Sequence, residues 1–236
     1  AGVVGLVNGG SDVVDALIDH PRVRAISFVG STPVAKYVYA RATANGKRAQ
    51  CQGGAKNPAI VLPDADMDMA TRILGDSAFG CAGQRCLATS VVITVGEAGT
   101  AFSDRIAEDA RTRSVGSGLE EGIQMGPVIT AESKARIEGL VAEGEREGGR
   151  LLVDGRHRSV EGFPGGWFLH PTVVVDADPR GTLARTEVFG PVLSVFHVSS
   201  KEEALEIENN SPYGNAAAIY TQHGGVAEWF ASRARA

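Results

Sequence analysis

No apolar run in the chain approaches the roughly 18 residues that a membrane-spanning helix needs. Cysteine is scarce: three in 236 residues. That odd, low count argues against a disulfide framework and for a reducing compartment. No basic stripe is present, and 23 Lys and Arg against 28 Asp and Glu give a net charge of −5, so nothing points to nucleic acid. The first residues, Ala1-Gly2-Val3-Val4, lack the charged-then-apolar pattern of a secretory signal. The usual G-x-G-x-x-G dinucleotide fingerprint is missing, as are internal repeats and low-complexity tracts. The three thiols have no histidine at ligand spacing, so no metal is expected. Asp64, Asp66 and Asp68 alternate as in a calcium loop, but Met69 stands where that loop needs glycine and Gly75 where it needs glutamate. These acids read instead as caps for a helix over 67–79.

What is present is an ordinary α/β composition, 43% hydrophobic with 30 glycines. Val3 to Val7 reads as a strand, Ser11 as the cap of a helix over 12–19 ended by His20-Pro21, and Val23 to Val29 as a second strand. Gly30-Ser31-Thr32-Pro33 then opens a helix whose free N–H groups suit a phosphate, or simply cap the helix. Strand character over 47–51 leads into Gln52-Gly53-Gly54, and a domain boundary is expected there, between 1–51 and 52–236. Beyond it, strands are expected over 59–62, 90–95, 150–153, 168–175, 192–198 and 216–220. Helices are expected over 67–79, 101–110, 131–147, 202–209 and 226–233. This alternation predicts a second α/β domain with a largely parallel sheet.

The candidate chemistry centres on Gly83-Gln84-Arg85-Cys86, between the helix over 67–79 and the strand that follows. A thiol flanked by small residues suits a nucleophile, and its own N–H suits an oxyanion. The competing reading is a small inert thiol. A cation fixed about 5 Å away is worth roughly 3 kcal/mol at an effective dielectric near 20, about two pKa units for the thiol. Adjacent residues need not face one another, however, so Arg85 reads equally as thiol activator, substrate clamp or surface charge. Cys81 and Cys51 are the rival thiols, and the five histidines fit no triad or ligand spacing.

Four motifs occur in order: Gln52-Gly53-Gly54-Ala55-Lys56-Asn57-Pro58, Pro63-Asp64-Ala65-Asp66, Gly83-Gln84-Arg85-Cys86 and Glu187-Val188-Phe189-Gly190-Pro191-Val192. Together they resemble the aldehyde dehydrogenase superfamily over nearly the whole chain. Phe28-Val29-Gly30-Ser31, Gly46-Lys47-Arg48, the Gly-Ala-Lys-Asn run and Arg85 are most similar to its coenzyme A-acylating methylmalonate-semialdehyde (malonate-semialdehyde) group. The resemblance implies the end of a Rossmann-type NAD-binding domain (1–51) followed by a catalytic domain (52–236), together a fragment covering about the middle half of a family member. It implies Cys86 as the nucleophile and Arg85 as the partner of a substrate carboxylate. It also implies Gly30, Ser31 and Gly53 beside NAD, Glu187 on the nicotinamide ribose and Phe189 against the nicotinamide. A second oxyanion donor and a second substrate arginine are implied upstream of Ala1.

Gln52 departs from hydrolytic members, which carry a glutamate there as general base. An amide cannot take a proton near neutral pH. The departure favours thiolysis by coenzyme A as co-substrate, with a short carboxylated aldehyde oxidised to acyl-coenzyme A. The alternatives are a hydrolytic NAD(P)-dependent enzyme giving a free acid, or an inactive truncated chain. The resemblance further implies a homo-oligomer, cytoplasmic or in the mitochondrial matrix of a eukaryote.

Overall fold

A computed structural model describes residues 2–236. The chain divides into two compact units, Ala1–Gly54 and Ala55–Ala236. In the first, α1 (Ser11–Asp19) precedes β1 (Ala25–Val29), α2 (Thr32–Ala44) and β2 (Arg48–Gln52). β1 and β2 pair in parallel, Ala25 opposite Arg48, so α2 is the crossover of a βαβ unit. Ile18, Val38 and Ala42 form its small core, with Val14, Ile26, Phe28, Ala49 and Cys51 packed against it. Arg41 of α2 reaches both carboxylate oxygens of Asp19 in α1, at 3.0 and 2.6 Å. That bidentate pair holds the Asp19 carboxyl below its ordinary pKa.

Two expectations fail here. Val3 to Val7 is no strand: Val3, Val4, Leu6 and Val7 are exposed, and no strand among the described residues pairs with them. Ser11 is no cap either. It is the first helical residue, and Gly10 occupies the cap position without a side-chain bond.

The second unit is a six-stranded sheet in the order β5-β6-β7-β4-β3-β8. Its strands are β3 (Asn57–Val61), β4 (Thr89–Val95), β5 (Arg150–Val153), β6 (Thr172–Val175), β7 (Val192–Val198) and β8 (Ala218–Tyr220). β5 runs antiparallel to β6, and the other pairings are parallel. Ala59, Ile60, Val61, Val92, Ile93, Val173, Val174 and Leu193 are essentially inaccessible, the continuous apolar pattern of strands covered on both faces. The covering helices are α3 (Met67–Phe79), α4 (Ala98–Thr112), α5 (Ala131–Arg146), the short α6 (Thr182–Arg185), α7 (Lys201–Asn209) and α8 (Gly224–Ala231). No helix among the described residues is long and apolar enough to cross a membrane.

The strand expected over 168–175 begins only at Thr172. Pro171 has no N–H to give a ladder, and the His170 N–H goes to Gly155 instead. The acids 64, 66 and 68 do three different things. Asp64 accepts from Thr221 Oγ1 at 2.7 Å and Gln222 N at 3.0 Å, which ties the exit of β3 to that of β8. Asp68 pairs with Arg105 of α4. Asp66 caps α3, accepting from Met69 N at 2.9 Å.

Asp66→Ala is therefore expected to destabilise the protein by about 1 kcal/mol and Asp66→Asn by much less. Urea denaturation measures this, and equal midpoints for the two variants would mean that packing alone starts the helix.

Candidate active site

Cys86 stands at the tip of a tight turn. After α3, the segment Cys81–Gly83 coils the wrong way: φ is +53° at Cys81, +53° at Ala82 and +67° at Gly83. Left-handed backbone costs a residue with a Cβ roughly 1–2 kcal/mol, and two consecutive residues bear that cost here. At Gly83 a side chain has no room, because a Cβ would lie 2.1 Å from the carbonyl oxygen of Gly190. The chain then turns through Arg85–Ala88, closed by Ala88 N to Arg85 O at 3.0 Å, and enters β4. Cys81 therefore belongs to this left-handed turn and not to the end of α3. Cys81 and Cys86 are exposed and Cys51 is half-buried.

The residues around Cys86 are tied down one by one. Gln84 Oε1 accepts from Ile129 N at 2.8 Å, and Gln84 Nε2 donates to the carbonyls of Cys81 and Pro127. Arg85 Nη2 donates to the carbonyls of Asp76 and Ser77 at 3.0 and 2.9 Å. Thr89 N donates to Ser77 Oγ at 3.0 Å. The Cys86 carbonyl accepts from the side-chain amides of Asn57 and Asn215, each at 2.8 Å. The Cys86 N–H has no partner among the described residues. An exposed thiol beside an unpaired N–H is what addition to a carbonyl requires, the N–H receiving the oxyanion.

Arg85 does not sit as a free two-pronged clamp. Both hydrogens of its Nη2 go to carbonyls at the end of α3, where a cation also meets the negative end of the helix dipole. Each forked edge of a guanidinium uses that nitrogen. In this arrangement Arg85 offers a carboxylate its charge and single N–H donors from Nε and Nη1.

Glu187, Phe189 and Gly190 line the same pocket as Cys86, Asn57 and Arg85. Arg136 of α5 fixes their turn from behind, donating to the carbonyls of Glu187 at 3.3 Å and Val188 at 2.6 Å. Phe189 is 40% exposed and holds φ +48°, strain that the turn maintains in a non-glycine residue. Glu187 Oε1 accepts from Ala55 N at 2.9 Å, and Oε2 has no partner among the described residues. That second oxygen is free to accept from a ribose hydroxyl. Lys56, which follows Ala55, is 3% exposed and its Nζ has no hydrogen-bond partner among the described residues. Burial pushes its pKa down to about 7, against the pull of the Glu187 carboxylate.

In the first unit, Ser31 caps α2 through its backbone while its hydroxyl makes no capping bond. A Cβ on Gly30 would lie 2.6 Å from the Phe28 ring, and one on Gly53 2.9 Å from Thr32 Oγ1. Gly54 N donates to that same Oγ1 at 2.9 Å, and Gly30 N to the carbonyl of Gln52 at 3.1 Å. A 13-residue helix starting at the carboxyl end of a parallel strand, with a free serine hydroxyl at its cap, has the donors that a pyrophosphate requires. Gln52 closes β2 and is exposed.

The profile of the aldehyde dehydrogenase family matches residues 1–236. The chain belongs to the aldehyde dehydrogenase family. A malonate-semialdehyde dehydrogenase of Geobacillus thermodenitrificans is 46% identical over 95% of this chain and 46% of its own length. The human methylmalonate-semialdehyde/malonate-semialdehyde dehydrogenase [acylating], mitochondrial, is 40% identical over 98% of the chain and 43% of its own length. A crystal structure of a candidate methylmalonate-semialdehyde dehydrogenase from Sinorhizobium meliloti 1021, complexed with NAD, superposes with a TM-score of 0.95 at 44% identity. It covers 97% of this chain and 47% of that one. The chain thus spans somewhat less than half the length of these dehydrogenases.

Within this member of the aldehyde dehydrogenase family, sequence reasoning missed Asn57, Asn215, Arg136 and the burial of Lys56. Asn57 and Lys56 lay inside a quoted motif, but nothing in a motif tells which side chain turns inward. Asn215 carries no local signal at all.

Lys56 generates a pH test. Its folded pKa, about 7, lies below the ordinary 10.5, so between these values the folded state binds fewer protons than the unfolded state. Its contribution to stability therefore improves as pH rises through that window, and the full penalty acts below about pH 7. Lys56→Met is expected to stabilise the fold by on the order of a few kcal/mol at pH 6 and far less at pH 10. Equal differences in urea midpoint at both pH values would contradict the buried, depressed ammonium.

Proposed function

We propose that the protein carrying this chain oxidises a short carboxylated aldehyde with NAD and passes the acyl group from Cys86 to coenzyme A. One observation carries the reading: an exposed thiol with an unpaired N–H on a pinned turn, beside Glu187, in a chain 40–46% identical to semialdehyde dehydrogenases. The Cys86 thiolate adds to the aldehyde carbon, and the oxyanion that forms takes the Cys86 N–H. Bound NAD supplies the acceptor for the hydride that leaves this carbon. Collapse leaves the acyl group on Sγ as a thioester. The thiolate of coenzyme A then attacks its carbonyl, and the Cys86 thiolate departs.

The roles of the other residues follow their chemistry. Gly30 and Ser31 at the start of α2, with Gly53, would receive the pyrophosphate. The free oxygen of Glu187 would hold the nicotinamide ribose, and Phe189 would line the nicotinamide site. Arg85 attracts the substrate carboxylate through its charge and its remaining N–H groups while still holding the end of α3. Gln52 has no basicity to activate water. This supports transfer to a thiol, because a few per cent of an ordinary thiol is already thiolate near pH 7. The word acylating in the name of the human relative supports the same reading.

The test uses the product of the full reading frame, NAD and malonate semialdehyde. A burst of NADH equal to the enzyme concentration is expected. It should be followed by a steady rate about 10²–10⁴-fold below that with coenzyme A, the usual effect of a missing general base. Acyl-coenzyme A should be the product. Fast turnover to free acid, unchanged by coenzyme A, would replace acyl transfer with hydrolysis. No NADH at all would leave an inactive chain.

A further inference from the structure

We propose that Asn57 and Asn215 are positioning residues for Cys86, a role that rests on reading Cys86 as the nucleophile. Asn57 opens β3 and Asn215 lies three residues before β8, the strand beside it. Asn57 Nδ2 donates to the carbonyls of Cys86 at 2.8 Å and Ala88 at 2.9 Å. Asn215 Nδ2 donates to the Cys86 carbonyl at 2.8 Å and lies 3.4 Å from Asn57 Oδ1. The orientation of the Asn57 amide is unambiguous, because turning it over would set Oδ1 against two carbonyl oxygens.

The backbone explains why a side chain does this. Asn57 pairs with Thr89 but Pro58 pairs with Val91, so the β3–β4 register slips between them. Proline has no N–H to offer at the slip. The Asn57 amide supplies donors one step before the first paired residue of β4, and so carries strand-like bonding into the Cys86 turn. Two donors occupy both lone pairs of the Cys86 carbonyl and fix the plane of the peptide after it. They leave the Cys86 N–H and thiol unbonded, in a set relation to each other. One anchoring amide opens a sheet strand and the other lies just before the strand beside it, neither in the Cys86 turn itself, and a thiol held from outside its own loop stays within the narrow geometry that addition demands. The buried amide of Asn57, 6% exposed, is fully engaged in this task.

Asn57→Asp and Asn215→Asp keep the shape and remove the donors, and Asn215→Gln restores a donor at an exposed position. Two readings are taken on the product of the full reading frame: hydrogen exchange of the Ala88 N–H, which closes the turn, and the rate and aldehyde dependence of the NADH burst. Asn215→Asp should speed Ala88 exchange at least tenfold while the β4 amides of residues 91–95 keep their protection. Its burst rate should fall ten- to a hundredfold with KM for the aldehyde within threefold, and Asn215→Gln should recover most of the loss. Asn57→Asp buries a carboxylate, so if it does not fold the exposed Asn215 pair decides. Unchanged Ala88 exchange, or faster exchange with an unchanged burst rate, overturns the proposal. If the unsubstituted protein gives no burst, the dehydrogenase reading falls by itself. The exchange comparison then still decides whether the two amides hold the turn.

Discussion

Cys86, the proposed nucleophile, is exposed, and exposure removes the packing that would hold it still. In this chain hydrogen bonds replace packing. Gln84, Arg85, Asn57, Asn215 and Ser77 each tie one point of the Gln84–Thr89 segment to a helix end, a loop or a strand. Each such bond is worth only about 0.5–1.5 kcal/mol. Their number and their separate anchors make the turn rigid. The left-handed coil at Cys81–Gly83 is tolerated because Ala82 is small and buried and Gly83 lies against the Gly190 carbonyl.

These groups gather where a parallel sheet usually has no site. Ligands of open α/β sheets lie outside the carboxyl ends of the strands. Here Asn57 opens β3, Cys86 precedes β4 by three residues, Gly190 precedes β7 by two, and Asn215 precedes β8 by three. The pocket forms at the amino ends of three neighbouring strands, β3, β4 and β7, and Asn215 reaches the Cys86 carbonyl from before a fourth, β8. The carboxyl end carries structural bonds instead, such as Asp64 to Thr221 and Gln222. The first unit follows the usual rule, with the N-terminus of α2 after the carboxyl end of β1.

The sequence was legible where periodicity and turn chemistry act locally. The helices over 67–79 and 131–147 and the strands over 150–153 and 192–198 lie within a residue of their expected bounds, because apolar runs and caps specify them. Val3 to Val7 failed because a strand needs a neighbour, which no local pattern reveals. Four motifs in order were enough for the family. The resemblance singled out Cys86, Glu187 and Phe189, and the fold brings these three to one pocket. The bonds that hold Cys86 span 29 and 129 residues, beyond what spacing can show. Arg85 illustrates the limit best: its position was evident, but its engagement with the end of α3 follows only from the fold.

The central claim is that Cys86 Sγ carries the acyl group. It is tested most directly by mass spectrometry of the full-reading-frame protein, quenched in acid after mixing with NAD and malonate semialdehyde in the absence of coenzyme A. The account expects one acyl adduct, on the peptide containing Cys86, which disappears when coenzyme A is added before the quench. An adduct on Cys81 or Cys51, or NADH formed with no adduct on Cys86, would contradict it.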